Sequence, residues 1–139
     1  MPWVSAIHSV DSLKLAAEIS RRWTALGRPV PLSIFIEVNL SNESAKAGIA
    51  PEEVRTLCEQ ISSECPALQL EGLMCIPESA GDPRLAFKKL NELEATCRPF
   101  THGGLSMGMS SDFEAAIEEG ATHVRVGTRL FGPRSINPN

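Results

Sequence analysis

No apolar run in the sequence approaches the roughly 20 residues that a membrane-spanning helix needs, so no membrane partner is expected. Basic residues are outnumbered, 13 Lys and Arg against 17 Asp and Glu, for a net charge of −4. Aromatic residues make up only 5% of the chain. Without a basic run or an aromatic-interleaved stripe, a general nucleic-acid surface is not expected either. The opening residues, MPWVSAIHSVDS, lack the charged start and long apolar core of a secretion signal, and the expected compartment is cytoplasmic. Cys58, Cys65, Cys75 and Cys97 show no C-x-x-C spacing and read as reduced thiols in or near a core. His8, His102 and His123 are equally scattered, so the spacing gives no reason to expect a metal site.

What is present is ordinary for one globular domain with a real core. The chain has 139 residues, 42% hydrophobic and 22% charged, with no internal linker or low-complexity segment. It alternates between strand-like and helix-like stretches. Residues 4–10 read as a strand, and Asp11 or Ser12 caps a helix with Leu15, Ile19, Trp23 and Leu26 on one stripe, ended by Gly27. Residues 32–40, LSIFIEVNL, form a strand apolar enough to be covered on both faces, followed by the polar loop SNESAKAG. Pro51 starts a helix whose buried face carries Val54, Leu57, Cys58 and Ile61. Residues 68–76 are the third strand, and Gly72 inside it marks either a close approach or a bulge. Asp82 and Pro83 open a helix with Ala86, Leu90, Leu93 and Cys97 on one side.

The stretch 105–132, LSMGMSSDFEAAIEEGATHVRVGTRLFG, completes the pattern as strand, glycine turn, helix, strand and a second glycine turn. Ser110 and Ser111 are good cap residues, Asp112 and Glu114 suit the first turn, and Phe113, Ala116 and Ile117 fall at helical spacing before Gly120. The count is five strands and four connecting helices, which implies a parallel sheet with right-handed crossovers. Functional groups then gather at the carboxyl ends of the strands. That rule selects Ser9 and Asp11, residues 39–48, 75–77, 106–110 and 127–132. Ser106, Gly108, Gly127 and Thr128 make a rim that suits a phosphate, although ordinary turns between strand and helix use the same residues. An open doubly wound sheet and a piece of a barrel both fit the periodicity.

Five segments appear in a telling order: HSVDS at 8–12, IEVNLSNESAKAG at 36–48, EGLMCIP at 71–77, LSMGMS at 105–110 and VRVGTRLFG at 124–132. Together they closely resemble the pyridoxal-phosphate homeostasis proteins, relatives of the alanine racemase N-terminal barrel. The resemblance implies an α/β fold of parallel (β/α) repeats like strands four to eight of a TIM-type barrel, as a single partial domain over 1–139. It implies a non-catalytic carrier or regulator of pyridoxal 5′-phosphate, with Ser106, Gly127 and Thr128 on the phosphate and Arg125 facing the pyridine nitrogen. An arginine there keeps that nitrogen unprotonated, because adjacent cations repel; the ring is then a weak electron sink.

The segments that the family places before HSVDS, including the lysine that anchors the cofactor covalently, have no counterpart in the sequence. The cofactor is therefore expected to be held non-covalently or not at all. Lys14, Lys88 and Lys89 read as solvated helix residues, and Lys46 as a rim or lid residue of the K-x-G loop. Five parallel strands cannot close a barrel. The expected outcomes are an open flattened sheet, a homodimer through the unpaired edges at residues 4–10 and 124–127, or a piece completed elsewhere. Two other functions stay open. One is a fragment of a phosphate-recognising (β/α) barrel enzyme using Glu37, Asp11 or Glu43. The other is an inert half-barrel acting only through assembly.

Overall fold

The structure is a computed structural model that describes residues 3–41, 43 and 45–134. Asn42 and Ser44 of the polar loop, the first two residues of the chain and residues 135–139 lie outside that description. Five strands are joined by helices: β1 (Ala6–Val10), α1 (Leu13–Ala25), β2 (Leu32–Glu37), α2 (Val54–Glu64), β3 (Leu68–Met74), α3 (Pro83–Thr96), β4 (Gly104–Met109), α4 (Phe113–Glu118) and β5 (His123–Arg125). A single helical turn, α5 (Thr128–Phe131), follows β5. Pro51 opens a 3-10 turn (Pro51–Glu53) that runs into α2 rather than starting the helix itself.

Every strand pair is parallel, and the sheet order β1-β2-β3-β4-β5 is sequential. A doubly wound sheet reverses its strand order; this one does not. Nor is the sheet flat. The ring of His8 on β1, one edge, meets the ring of His123 on β5, the other edge, at 5.6 Å. The sheet is therefore a curled half-barrel whose concave side chains meet across the lumen. The two edges are the ones expected.

The register divides the strands into two faces. Ile7, Ile34 and Leu70 lie level with one another, as do Val10, Ile36, Leu73 and Leu105, and these face the helices. They pack with Val54, Leu57, Cys58 and Ile61 of α2, Phe87 and Leu90 of α3 and Ala116 of α4 in one buried core. The concave face carries Ser33, Phe35 and Glu37 of β2, Gly72 and Met74 of β3, Gly104 and Ser106 of β4, and His123 of β5. Phe35 is only 1% exposed. It fits because its neighbours are glycines: a Cβ on Gly104 would lie 2.8 Å from the Phe35 ring.

Local signals worked mostly as expected. Ser12 caps α1 by accepting from the Leu15 amide at 3.2 Å. Gly27 and Gly120 take the positive φ that ends a helix, at 62° and 98°. The stripe on α1 is shifted, however. Ala16 and Ser20 are its buried residues, because small side chains let the helix approach the sheet, whereas Leu15 and Leu26 are exposed. Ile117 likewise points out, and Asp112, not Ser110 or Ser111, precedes α4 as its cap.

Three strands are shorter than their apolar runs. Ala6 is the first residue of β1 with a partner, Ser33, since Pro31 interrupts the neighbouring ladder. Beyond Glu37 the chain pairs with its own returning loop: Asn39 N–H donates to Ile49 O and Ile49 N–H to Glu37 O, each at 2.9 Å. Past Met74 the exposed Ile76 and then Pro77 end the third ladder. All four cysteines are free and buried.

Candidate functional site

Arg125 is the last residue of β5, and it lies level with Met109 at the end of β4. A long cationic side chain at the end of an inward-facing strand position turns into the lumen, where carbonyls and hydroxyls can take its donors. Its Nη1 donates to Ser106 Oγ at 2.8 Å and its Nη2 to the Cys75 carbonyl at 2.9 Å. β5, β4 and the residue that follows β3 thus hold one partly buried guanidinium. Burial lowers its pKa while Cys75, Glu37 and Asp112 oppose that shift. An arginine remains charged regardless. The Cys75 thiol is pushed up to about 12 by burial, so it meets this cation as a neutral group.

Ser106 is fully buried. Besides accepting from Arg125, its Oγ lies 2.7 Å from His8 Nδ1. The His8 ring stacks on Phe35 at 4.3 Å with a 33° tilt, and Phe35 meets His123 edge-on at 5.0 Å. The floor beneath the mouth is therefore aromatic, with Phe35 buried, His8 half-buried and His123 exposed.

Above it the rim is open. Gly127 precedes α5, and its carbonyl accepts from the amides of Leu130 and Phe131, each at 2.9 Å. The Arg129 amide donates to Ser110 Oγ at 3.3 Å, which ties this turn to the loop after β4. Gly127 and Thr128 are exposed, and a Cβ on Gly127 would meet nothing within 4 Å.

Of the four residues expected at the site, Gly127 and Thr128 stand together on the rim with Ser110 close by. Arg125 reaches down from beside them. Ser106 is set lower: it is level with His123, four residues before Gly127, on the order of 13 Å of extended strand. The structure brings Ser106 to Arg125 and not to the rim, because the register of β4 against β5 buries its hydroxyl beneath the guanidinium.

Two carboxylates flank the mouth. Burial raises the Glu37 pKa, the neighbouring Asp11 adds to the rise and Arg125 opposes it. Asp11 Oδ2 accepts from the Gly48 amide at 3.4 Å, which closes the loop after β2 over the end of β1. Lys46 lies on the rim as expected, 3.3 Å from Glu43 in an exposed ion pair. It lines a cavity of ≈ 220 Å³ together with Glu37 and Ile76. Among the described residues no group of three or more His, Cys, Asp or Glu side chains could hold a metal ion. No helix of the described residues is long and apolar enough to cross a membrane.

Sequence reasoning missed His8, and it selected residues 75–77 without identifying the Cys75 carbonyl as a partner of Arg125. His8 was legible only as one inward position of a strand, and a backbone carbonyl leaves no mark in a sequence.

Fold and site together define a parallel (β/α) half-barrel protein with an anchored cation at the carboxyl-end mouth. The profile of the alanine racemase N-terminal domain matches residues 3–135, and the chain belongs to that family. It is 47% identical over 131 residues to the pyridoxal phosphate homeostasis protein of Pseudomonas aeruginosa, covering 92% of this chain and 55% of that one. To the Bos taurus protein of the same name it is 40% identical over 146 residues, covering 99% and 54%. Among solved structures, PipY of Synechococcus elongatus PCC7942 with PLP bound superposes with a TM-score of 0.82 at 36% identity, covering 92% of this chain and 61% of PipY. The chain spans about half the length of the curated relatives it matches.

Proposed function

We propose that this chain binds pyridoxal 5′-phosphate as a non-catalytic carrier, through the mouth of the half-barrel and without a covalent bond of its own. The observation that carries the reading is the anchored Arg125, whose guanidinium is held by Ser106 Oγ and the Cys75 carbonyl beside an open glycine rim. The residues fit such a ligand. An exposed turn with space over Gly127 admits an anion to the backbone, with the Thr128 hydroxyl and Ser110 as further partners. Arg125 would face the pyridine nitrogen, and Ser106 would support Arg125 rather than touch the phosphate.

The bound cofactor supplies an electron-withdrawing ring; what this chain adds decides how strongly that ring withdraws. A permanent cation at the nitrogen keeps it unprotonated, which favours carriage over carbanion chemistry. The relatives' names and the cofactor in PipY support the ligand class. Lys46 is exposed and paired with Glu43, neither buried nor set beside another cation as an activated Schiff-base lysine is.

The test is a titration of the purified protein with pyridoxal 5′-phosphate, followed by visible absorbance with and without borohydride, with inorganic phosphate as competitor. Binding that phosphate displaces, and that leaves no reducible adduct, is the expected result. Absence of binding overturns the reading, and a reducible adduct on Lys46 overturns its non-covalent part. One observation favours a second reading, an enzyme acting on a small phosphorylated metabolite. Glu37 is a buried carboxyl at the mouth with a raised pKa, as a general base requires. Turnover of such a substrate, lost in Glu37→Gln, would establish it.

A further inference from the structure

His8 is one of three scattered histidines in the sequence, yet the curl of the sheet carries its ring from the β1 edge into the lumen, against Phe35, Ser106 and His123. Its Nδ1 and Arg125 Nη1 share one oxygen, Ser106 Oγ, at 2.7 and 2.8 Å. A guanidinium has only donors, so Ser106 must accept from Arg125. The serine proton is then free to go to an acceptor, and a neutral imidazole has one. With the imidazole proton on Nε2, the tautomer that gives the serine proton an acceptor, the chain runs from Arg125 to Ser106 to His8 and ends on Nδ1.

The surroundings of His8 favour the accepting form. From β5 it faces His123 and Arg125, from β4 Ser106, and from β2 the Phe35 ring. Glu37, further along β2, is set against Asp11 and Arg125. Burial first, then His123 and Arg125, lower the His8 pKa below its ordinary 6.5.

We propose that His8 is the positioning residue of the mouth: by accepting a hydrogen bond from the Ser106 hydroxyl it aims Arg125 at the ring nitrogen of a pyridine-type ligand, and on protonation it lets that aim go. This deepens the cofactor reading above and rests on it. A protonated imidazole donates from both nitrogens. Ser106 Oγ would then sit between two cations, the serine proton would lose its acceptor, and His8 and Arg125 would repel one another. Acid would thus loosen the grip on the ligand from beneath, without any change on the rim.

Two measurements test this. In the ligand-free protein, the side-chain 15N signals of Arg125 and His8 are followed by NMR from about pH 5 to about pH 8. The expected result is one shared midpoint below 6.5. An Arg125 signal indifferent to the His8 titration overturns the proposal, and because no ligand is involved this outcome is separate from failure of the cofactor reading. The second is pyridoxal 5′-phosphate affinity over the same range in wild type, His8→Asn and His8→Leu, with ratios to wild type cancelling the ligand's own titration. Asn keeps an acceptor near Nδ1 but cannot titrate, so His8→Asn binds like wild type at neutral pH and loses the acid step. His8→Leu weakens binding by about tenfold at neutral pH, the loss of roughly one hydrogen bond's worth of positioning. An acid step in His8→Asn as large as that in wild type overturns the proposal.

Discussion

Gly72→Ala is the most informative single change in the fold. Gly72 lies level with Gly104 across the β3–β4 ladder. A Cβ at this position would stand 1.8 Å from the Gly104 carbonyl oxygen and 2.4 Å from its carbon, whereas real Cβ contacts essentially never fall under 3.0 Å. The obstruction is backbone, not the end of a flexible side chain, so relief requires the strands to part by about 1 Å or more. Parting them strains the Cys75 N–H to Ser106 O bond, already 3.2 Å, and the His102 N–H to Glu71 O bond at 3.1 Å. Two weakened ladder bonds at about 1–3 kcal/mol each, in a close-packed interior, cost on the order of 3–5 kcal/mol. That is a large share of the roughly 5–15 kcal/mol that stabilises a typical domain. Urea denaturation followed by circular dichroism measures it directly. The thermal midpoint should fall by roughly 10 °C or more, and failure to fold is the same effect at its limit. A variant within about 0.5 kcal/mol of wild type would refute the steric reasoning.

Gly127→Ala is the counterpart. With nothing within 4 Å of the new Cβ, stability should be unchanged by urea denaturation, while pyridoxal 5′-phosphate affinity falls about tenfold if an anion approaches this backbone. Glu94, 2% exposed, accepts from Thr101 Oγ1 at 2.5 Å and from Gly103 N–H at 2.9 Å. Both bonds fall on Oε1, so Glu94→Gln keeps them but turns its amide donors toward Arg98, whose Nε and Nη2 donate to Oε2 at 3.3 Å, and should cost about 1–3 kcal/mol in the same assay. The lowered His8 pKa makes the unfolded chain bind more protons below 6.5. Stability should be complete above that pH and decline as pH falls through it, a slope that disappears in His8→Asn. Because the four cysteines are at most 1% exposed, a thiol reagent should label them only in denaturant. For the unpaired edges we propose self-association of the isolated chain, driven by exposed Trp3, Leu130 and Phe131. Light scattering that reports a monomer at high concentration refutes it.

The alternation of strand and helix, the helix caps at Ser12 and Asp82, the glycine stops at Gly27 and Gly120 and the identity of the rim turn were all legible in the sequence. Each depends on residues within a turn or two of one another, and local sterics and hydrogen bonds decide them. The motif order 8–12, 36–48, 71–77, 105–110 and 124–132 also sufficed to recognise the family. Gly72 was narrowed to a close approach or a bulge, and the register shift between Ile34 and Phe35 together with the contact to Gly104 shows both.

Tertiary structure alone decided what those pieces do together. Strand length depended on the neighbour: residues 32–40 are apolar throughout, yet the ladder stops at Glu37 because the next residues pair with a returning loop. Sheet curl depended on which side chains share the lumen, and small glycines beneath Phe35 are meaningful only once β2, β3 and β4 are in register. The site shows the same division. The candidates Arg125, Gly127 and Thr128 lie in one contiguous stretch, but the depth of Ser106 is a matter of register. The contact of Ser106 with His8 spans 98 residues of chain. Sequence determines local conformation through short-range sterics, whereas a hydrogen-bonded centre is assembled from distant strands by packing, and only the fold brings its members within bonding distance.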